Sequence, residues 1–220
     1  MRRLAVLLLL VLAALAVAAG CGDDGPEVVD AGTATQRAEG SFEGGPVEPR
    51  AQAPPIRLRD VEGELVDLHA LRGKPVLLSF IYSQCPDTCP LTMQALREVR
   101  AELGPDADDV EIVLVSSDPE GDTPANVRKF LANYGMTGHA KYLLGTQAQL
   151  EPIWRDYQIE REIEAHSHEG TSLHEHDHAG LIGHASLTYG IDAAGRLSTA
   201  YPVNFPVSAI LHDIPLLEAA

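Results

Sequence analysis

The chain has 220 residues, of which 16 are basic and 32 are acidic, so its formal net charge at pH 7 is −16. An excess of acidic groups repels phosphate backbones, and nucleic acid is therefore excluded as an expected partner. The charge suits a soluble domain that approaches cations or basic protein surfaces. No internal repeat is evident, and residues 56–220 have a length typical of one compact domain.

The first 20 residues have the features of a secretory signal. Arg2 and Arg3 precede an unbroken apolar run from Leu4 to Ala19. In a helix this run would span about 24 Å, which is less than the roughly 30 Å of a bilayer's hydrocarbon core. We therefore predict a cleaved signal peptide of the lipoprotein type at residues 1–20, and not a spanning helix.

The junction Ala18-Ala19-Gly20-Cys21 resembles the lipobox of bacterial lipoproteins, in which the cysteine becomes an acylated N-terminus. The resemblance implies lipidation at Cys21, and with it a cell-membrane anchor facing the periplasm or another extracytoplasmic space. The alternative is an ordinary signal peptide that leaves Cys21 as a free thiol. Residues 21–55 are rich in Gly, Ala, Glu, Asp and Pro, and this composition predicts a flexible tether.

The other two cysteines follow a predicted central strand. The run from Pro75 to Gln84 is apolar and has no internal breaker, as is typical of a strand buried on both faces. Next come Cys85-Pro-Asp-Thr-Cys89-Pro90, and apolar residues then recur at helical spacing as far as Leu103. The cysteines are thus predicted in a strand-to-helix turn, where ligands of α/β sheets gather and a helix N-terminus stabilises thiolates.

We interpret Cys85 and Cys89 as a functional pair. If the residues between them form a first helical turn, both sulfurs lie on one side, where they could share a metal or form a redox-active disulfide. A purely structural disulfide is the alternative that an exported protein would permit. Such a bond would close a loop too short to stabilise the fold much.

The rest of the chain predicts alternating strands and helices, which is typical of a layered α/β domain. The predicted elements are a strand at Val110–Ser116, a helix at Pro124–Tyr134 capped by Asp122 or Thr123, a strand at Lys141–Leu144, a helix at Ala148–Tyr157, an alternating strand from His184 to Ile191, a strand at Arg196–Tyr201 and a helix from Pro206 to about Leu217.

Three stretches make the chain resemble the Sco/SenC family of thioredoxin-like copper proteins. They are Phe80–Pro90 with its C-x-x-x-C-P loop, Ser116–Pro124 with the pattern S-x-D-P-x-x-D-T-P, and the strand that His184 opens. The resemblance implies a thioredoxin-like α/β fold, with a central mixed β-sheet flanked by helices. It also implies copper ligation by Cys85, Cys89 and His184, with the two cysteines as a redox pair.

Family membership further implies a copper metallochaperone more than an enzyme. Such a protein receives copper from a donor protein and delivers it to the dinuclear site of cytochrome c oxidase subunit II or another cuproprotein, or reduces the cysteines of that site. Two thiolates and one imidazole suit copper as Cu(I) or Cu(II), although zinc accepts the same ligands. The alternative is an extracytoplasmic thiol:disulfide oxidoreductase, which would not require His184.

A second group of histidines lies in the predicted loop at residues 164–180. Its members alternate with carboxylates and are His166, His168, His174, His176 and His178. They are possible auxiliary metal ligands that gather copper for the Cys/His site. A solvated acidic loop with incidental histidines is an equal alternative.

Overall fold

The computed structural model describes residues 41–159 and 187–220. All of them belong to one compact unit, Ala38–Ala220. The predicted signal segment, Cys21, the histidine-rich loop and His184 lie outside the described residues. Within 41–159 and 187–220, no helix is both long and apolar enough to cross a membrane.

One mixed sheet of eight strands organises the described residues, in the order β1-β8-β7-β4-β5-β6-β2-β3. The strands are β1 Gly45–Gln52, β2 Arg57–Asp60, β3 Leu65–Asp67, β4 Val76–Ile81, β5 Glu111–Ser116, β6 Lys141–Leu144, β7 Leu187–Ile191 and β8 Arg196–Pro202. The helices are α1 Thr88–Leu103, α2 Pro124–Asn133, α3 Gln147–Asp156 and α4 Val207–Glu218, with short 3₁₀ turns at Leu68–Leu71 and Gly104–Asp109.

Strand β4 lies at the centre because every one of its six side chains is apolar or small and all are buried. It pairs parallel with β5 and antiparallel with β7. Side chains alternate between the two faces of a strand, so Leu78 and Phe80 enter one core while Leu77 and Ile81 enter the other. The predicted class, a mixed sheet flanked by helices with this strand at its centre, is confirmed.

Most predicted elements are observed within a residue or two of their expected ends, and β6 matches at both ends. Of the two candidate caps for α2, Thr123 is the one used, since its hydroxyl accepts the amide of Asn126 at 3.2 Å. Pro124 then occupies the first helical position, where its missing N–H costs nothing. Asp122 is left free for another role.

The predicted tether at residues 21–55 has to be shortened at its C-terminal end. Gly45–Gln52 forms β1, which pairs antiparallel with β8, and Ala53 is buried. Seven of the eight β1 side chains are exposed. The strand is therefore held mainly through its backbone. Because it has few large apolar residues, its sequence does not indicate a strand.

Candidate metal and thiol site

The cysteine pair lies at the carboxyl end of β4, as the sequence predicts. The chain leaves β4 after Ile81, turns through a loop in which the amide of Cys85 donates to the carbonyl of Tyr82 at 3.2 Å, and enters α1 at Thr88. Cys89 is the second residue of α1, whereas Cys85 lies before the helix. The expectation of one helical turn joining both cysteines is therefore only partly met.

The loop nevertheless brings the two sulfurs together. The backbone N–H of Cys89 donates to Sγ of Cys85 at 3.4 Å, and Sγ of Cys85 lies 4.0 Å from the hydroxyl of Thr88. The first amides of a helix have no partner within the helix, so a sulfur at this point satisfies one of them. Both cysteines are free thiols; Cys85 is partly exposed and Cys89 is buried.

Cys85 is the more acidic of the two thiols. Burial raises its pKa, but hydrogen bonds from the Cys89 thiol, from the backbone N–H groups of Cys89 and Asp87 and from the Tyr82 side chain together outweigh burial and lower it. Hydrogen bonds to a charged form favour that form. Because the thiolate is the form that binds metal or attacks a disulfide, Cys85 is the chemically available sulfur.

Cys89 is shifted in the opposite direction. Burial raises its pKa most, the hydrogen bond to Cys85 and the negative charges of Cys85 and Asp122 raise it further, and a backbone hydrogen bond from Tyr82 only partly opposes them. A protonated, enclosed Cys89 serves as a hydrogen-bond donor and as the second sulfur of the pair. The two cysteines are thus unequal before any metal or substrate arrives.

Asp122 connects the cysteine loop to the sheet. Its side chain is only 4% exposed and accepts three hydrogen bonds. They come from the backbone N–H of Ser83 at 2.7 Å, the hydroxyl of Ser116 at 2.6 Å and the hydroxyl of Tyr142 at 2.8 Å. The carboxylate therefore ties the residues before Cys85 to the ends of β5 and β6.

The rest of the loop between β5 and α2 supports this arrangement. Oδ1 of Asp118 accepts the amide of Gly121 at 3.0 Å, and the carbonyl of Gly121 accepts the Gln84 side chain at 3.3 Å. A Cβ atom at Gly121 would collide with the Asp118 carboxylate. The S-x-D-P-x-x-D-T-P stretch therefore folds tightly against the cysteine loop, a contact that the sequence pattern alone does not reveal.

The described residues supply two of the three predicted metal ligands. Within 41–159 and 187–220 there is no group of three or more His, Cys, Asp or Glu side chains that could hold a metal ion. Two adjacent thiols are a soft donor set, which suits Cu(I), and both oxidation states accept an additional imidazole. The observed pair thus fits copper and leaves room for a third ligand.

A central strand of a mixed sheet, a cysteine pair at its carboxyl end and a helix that begins one residue before the second cysteine define a thioredoxin-like thiol protein. The SCO1/SenC family model matches residues 46–217, and the chain belongs to that family. A SCO2-like protein of Rickettsia prowazekii is 25% identical over 159 residues, covering 71% of this chain and 72% of its own. The chain also aligns with three further Rickettsia relatives, over 64–65% of the length of each.

Solved structures of the family have the same fold. The copper-bound structure of ScoI from Bradyrhizobium japonicum superimposes with a TM-score of 0.60 at 28% identity, covering 75% of this chain and 98% of its own. BsSco, a member of the Sco family of cytochrome c oxidase assembly proteins with a disulfide switch, has a TM-score of 0.60 at 23% identity over 79% of this chain and 98% of its own. The thioredoxin-like fold implied by the sequence resemblance is confirmed.

Proposed function

We propose that the chain is a copper metallochaperone that binds copper through Cys85, Cys89 and His184 and serves the assembly of cytochrome c oxidase, with the dinuclear site of subunit II as recipient. Copper is the cargo here, as Cu(I) or Cu(II). The observation that carries the proposal is the contact between the two cysteines, in which the Cys89 amide donates to Sγ of Cys85 at 3.4 Å. The similarity to copper-bound ScoI supports it.

The direction in which the chain enters the sheet supports the choice of His184 as the third ligand. Thr188 pairs with Ser79 of β4, so the start of β7 lies at the end of the sheet where the cysteine loop begins. Two residues lie between His184 and Leu187, and the three Cα–Cα steps that join them reach at most about 11 Å. This short reach supports the proposal that His184 is the third ligand.

Transfer of copper requires ligands that can be exchanged. A site of two thiolates and one imidazole leaves a coordination position open, through which a recipient cysteine or histidine can enter before the donor ligands leave. The partly exposed Cys85 is the sulfur that such a recipient meets first, while buried Cys89 retains the ion until the exchange is complete.

We further propose that the protein is exported and held at the cell membrane through acyl chains on Cys21. The proposal rests on the apolar run that ends in Ala-Ala-Gly-Cys21. Metabolic labelling with a palmitate analogue tests it. Label that is incorporated by the intact chain and absent from Cys21→Ser is expected; equal labelling of both would contradict it.

Copper titration of the reduced full chain tests the proposed site, in a Cys21→Ala background that leaves two thiols. We expect one copper ion bound tightly to the parent protein, and tight binding lost in Cys85→Ser, Cys89→Ser and His184→Ala. Each variant should also carry a deletion of residues 166–178, so that histidines in that segment do not mask the loss. Tight binding that survives His184→Ala would remove that residue from the site.

The same deletion tests whether the histidine-rich segment gathers copper. If it does, the chain without residues 166–178 should bind fewer weakly held copper ions and load the Cys/His site more slowly at low copper concentration. Unchanged stoichiometry and loading rate would show that these histidines are incidental.

A thiol:disulfide oxidoreductase is the second candidate function, and the unequal cysteines favour it. The lowered pKa of Cys85 suits the attacking thiol, and neighbouring Cys89 suits the resolving thiol. Reduction of a disulfide in a peptide that carries the recipient's paired cysteines would demonstrate this activity. Activity that is independent of His184 would separate it from copper transfer.

A further inference from the structure

We propose that the N-terminal strap, residues 43–52, makes the tether from Cys21 leave the domain at its thiol end, and that Asp213 is the clamp that holds the strap there. The thiol end is the end of the sheet at which β4 leads into the cysteine loop. This inference rests on the proposed membrane anchor and adds an orientation to it: the cysteines face the anchoring bilayer and a partner embedded in it.

The pairing of the strands places the start of β1 at the thiol end. Leu78 of β4 pairs with Tyr189 of β7, which pairs with Ala200 of β8. Ala200 in turn pairs with Gly45, the first residue of β1. Three strand spacings therefore separate Gly45 from β4, a distance of about 14 Å. Because β1 runs antiparallel to β4, the residues before Gly45 continue towards the thiol end.

The last residues of β1 lie at the opposite end of the sheet. Gln52 pairs with Arg196, and the amide of Ala53 donates to the carbonyl of Gly195 at 2.9 Å, in the turn between β7 and β8. A strand of this length spans about 27 Å. If the strap detaches, the upstream chain leaves the domain from Ala53 at this far end, and no longer from Glu43 at the thiol end.

Asp213 holds the strap at the thiol end. Its side chain is fully buried and accepts the amides of Glu43 at 2.7 Å and Gly44 at 2.9 Å. The hydroxyl of Tyr201 donates to the same carboxylate at 2.9 Å. Gly44 also fits closely, because a Cβ there would lie 2.6 Å from a ring carbon of Tyr201. The clamp thus combines buried hydrogen bonds with tight packing.

The rest of the strap is attached weakly. Seven of the eight β1 side chains are exposed, and the register shifts between Pro46 and Ala51, which interrupts the pairing with β8. Pro46 and Pro49 have no N–H to donate to a neighbouring strand. A strand of this kind adds little to the core, but it carries the chain from one end of the sheet to the other.

The length of the tether makes its exit point important. Twenty-two Cα–Cα steps join Cys21 to Glu43, and the composition of this segment predicts a flexible chain. Such a chain has a root-mean-square end-to-end distance of about 26 Å, which is close to the length of β1. The exit point therefore decides which end of the sheet lies nearer the anchor. With the strap attached, that end is the thiol end.

Energy transfer from tryptophan to dansyl-labelled lipid headgroups tests the orientation. The chain used is residues 21–220, which contains the whole compact unit Ala38–Ala220. Its cysteines other than Cys21 are replaced through Cys85→Ser and Cys89→Ser, so that a maleimide lipid in the vesicle couples at Cys21 alone.

Two tryptophan positions report the two ends of the sheet. Trp154 is the single tryptophan, and its indole N–H donates to the carbonyl of Ser116 at 3.0 Å. Ser116 pairs with Ile81 at the end of β4, so Trp154 reports the thiol end. The far-end probe is Trp154→Phe/Ala194→Trp, because Ala194 is exposed in the turn between β7 and β8.

The two probes should differ in the parent and exchange order when the clamp is removed. We expect transfer from Trp154 to exceed transfer from the far-end probe by about twofold or more. In Asp213→Ala the order should reverse. Deletion of residues 22–31 from that variant restores the parent's tether length, and the reversal should persist. Equal transfer from both probes in the parent, or an unchanged order in Asp213→Ala, overturns the inference.

Asp192→Ala is the matched control for a general loss of stability. Asp192 is also a buried aspartate, and it accepts the amide and guanidinium of Arg196 and the hydroxyl of Ser198, all from β8. Its loss removes a buried acceptor but leaves the clamp intact. We expect the order of the two probes to stay as in the parent. A reversal in Asp192→Ala would overturn the assignment of the effect to the clamp.

Chemical coupling at Cys21 separates this test from the proposed function. If the cell does not acylate Cys21, or the cysteines bind no copper, but the probes still reverse in Asp213→Ala, the proposed function fails and the clamp stands. If acylation and copper binding are observed and the probes do not reverse, only the inference about the strap fails.

Discussion

Two buried aspartates with similar kinds of hydrogen-bond donor hold together different parts of this molecule. Asp122 joins the cysteine loop to β5 and β6, and Asp213 joins the chain at Glu43 and Gly44 to α4 and β8. Asp122 accepts one backbone amide and the hydroxyls of a serine and a tyrosine, and Asp213 accepts two backbone amides and a tyrosine hydroxyl. The surroundings differ, since Asp122 accepts from Ser83 of the cysteine loop and Asp213 contacts the imidazole of His212 at 2.9 Å. A buried aspartate therefore holds the cysteine loop in one place and attaches a chain segment in the other.

The largest effect that this comparison predicts is a loss of stability in Asp213→Ala. The substitution leaves the amides of Glu43 and Gly44 and the hydroxyl of Tyr201 without their acceptor in a buried position. We expect the free energy of unfolding to fall by about 3 kcal/mol, as measured by urea denaturation. The equilibrium of Cys85 and Cys89 between dithiol and disulfide, measured against reduced and oxidised glutathione, should not change. A change there would mean that the two regions are coupled.

Replacement of Gly44 by alanine should weaken the same segment without touching Asp213. A Cβ at Gly44 would contact Oγ1 of Thr199 far too closely and lie 2.6 Å from a ring carbon of Tyr201. Overpacking of this kind costs about 2 kcal/mol. Gly45→Ala is the control, because its Cβ would lie at an ordinary contact distance of 3.4 Å from the carbonyl oxygen of Ala200. Similar unfolding midpoints for the two variants would contradict the observed packing.

Alkylation rates of the reduced protein test the difference in reactivity between Cys85 and Cys89. Since its pKa is lowered, Cys85 carries more thiolate near neutral pH than an ordinary cysteine, whereas the raised pKa and burial of Cys89 keep it protonated. We expect iodoacetamide to modify Cys85 at least about tenfold faster at pH 7, as followed by mass spectrometry of peptides. In guanidinium chloride the two rates should converge. Equal rates in the folded protein would contradict the asymmetry.

The smallest predicted effect is a pH dependence of stability that arises from the contact between His212 and Asp213. Asp213 raises the pKa of His212 chiefly through their hydrogen bond. A raised pKa in the folded state means that the stabilising contribution is fully present below the unfolded value of about 6.5 and is lost as the pH rises through the folded value. The free energy of unfolding of His212→Gln should therefore be lower than that of the parent at low pH, and the two values should converge at high pH. A pH-independent difference would exclude this interaction.

The sequence predicts the interior of the fold better than its edge. The β4 strand is recognisable because all six residues from Val76 to Ile81 are buried, and α1 because apolar side chains recur along one face. Strand β1 has almost no buried side chains and is held by backbone pairing with β8 and by Asp213. Backbone hydrogen bonds do not show in the composition of a segment, so the composition here predicts a tether and not a strand.

The cysteine site likewise has features that the sequence predicts and features that only the fold shows. The positions of Cys85 and Cys89 follow from local order along the chain, since a strand and a helix flank them directly. The role of Asp122 depends on contacts with Ser83 and Tyr142, which are 39 and 20 residues away. Nothing in local spacing distinguishes a helix cap from a buried acceptor, and only the fold shows that Thr123 caps α2 while Asp122 accepts from the cysteine loop.

The most direct test of the proposed copper site is X-ray absorption at the copper edge of the loaded full chain, in the Cys21→Ala background without residues 166–178. We expect a first shell of two sulfur atoms and one imidazole nitrogen, with both sulfurs lost in Cys85→Ser/Cys89→Ser and the imidazole lost in His184→Ala. A shell made only of nitrogen and oxygen, or one unchanged by the cysteine substitutions, would contradict copper binding by this pair.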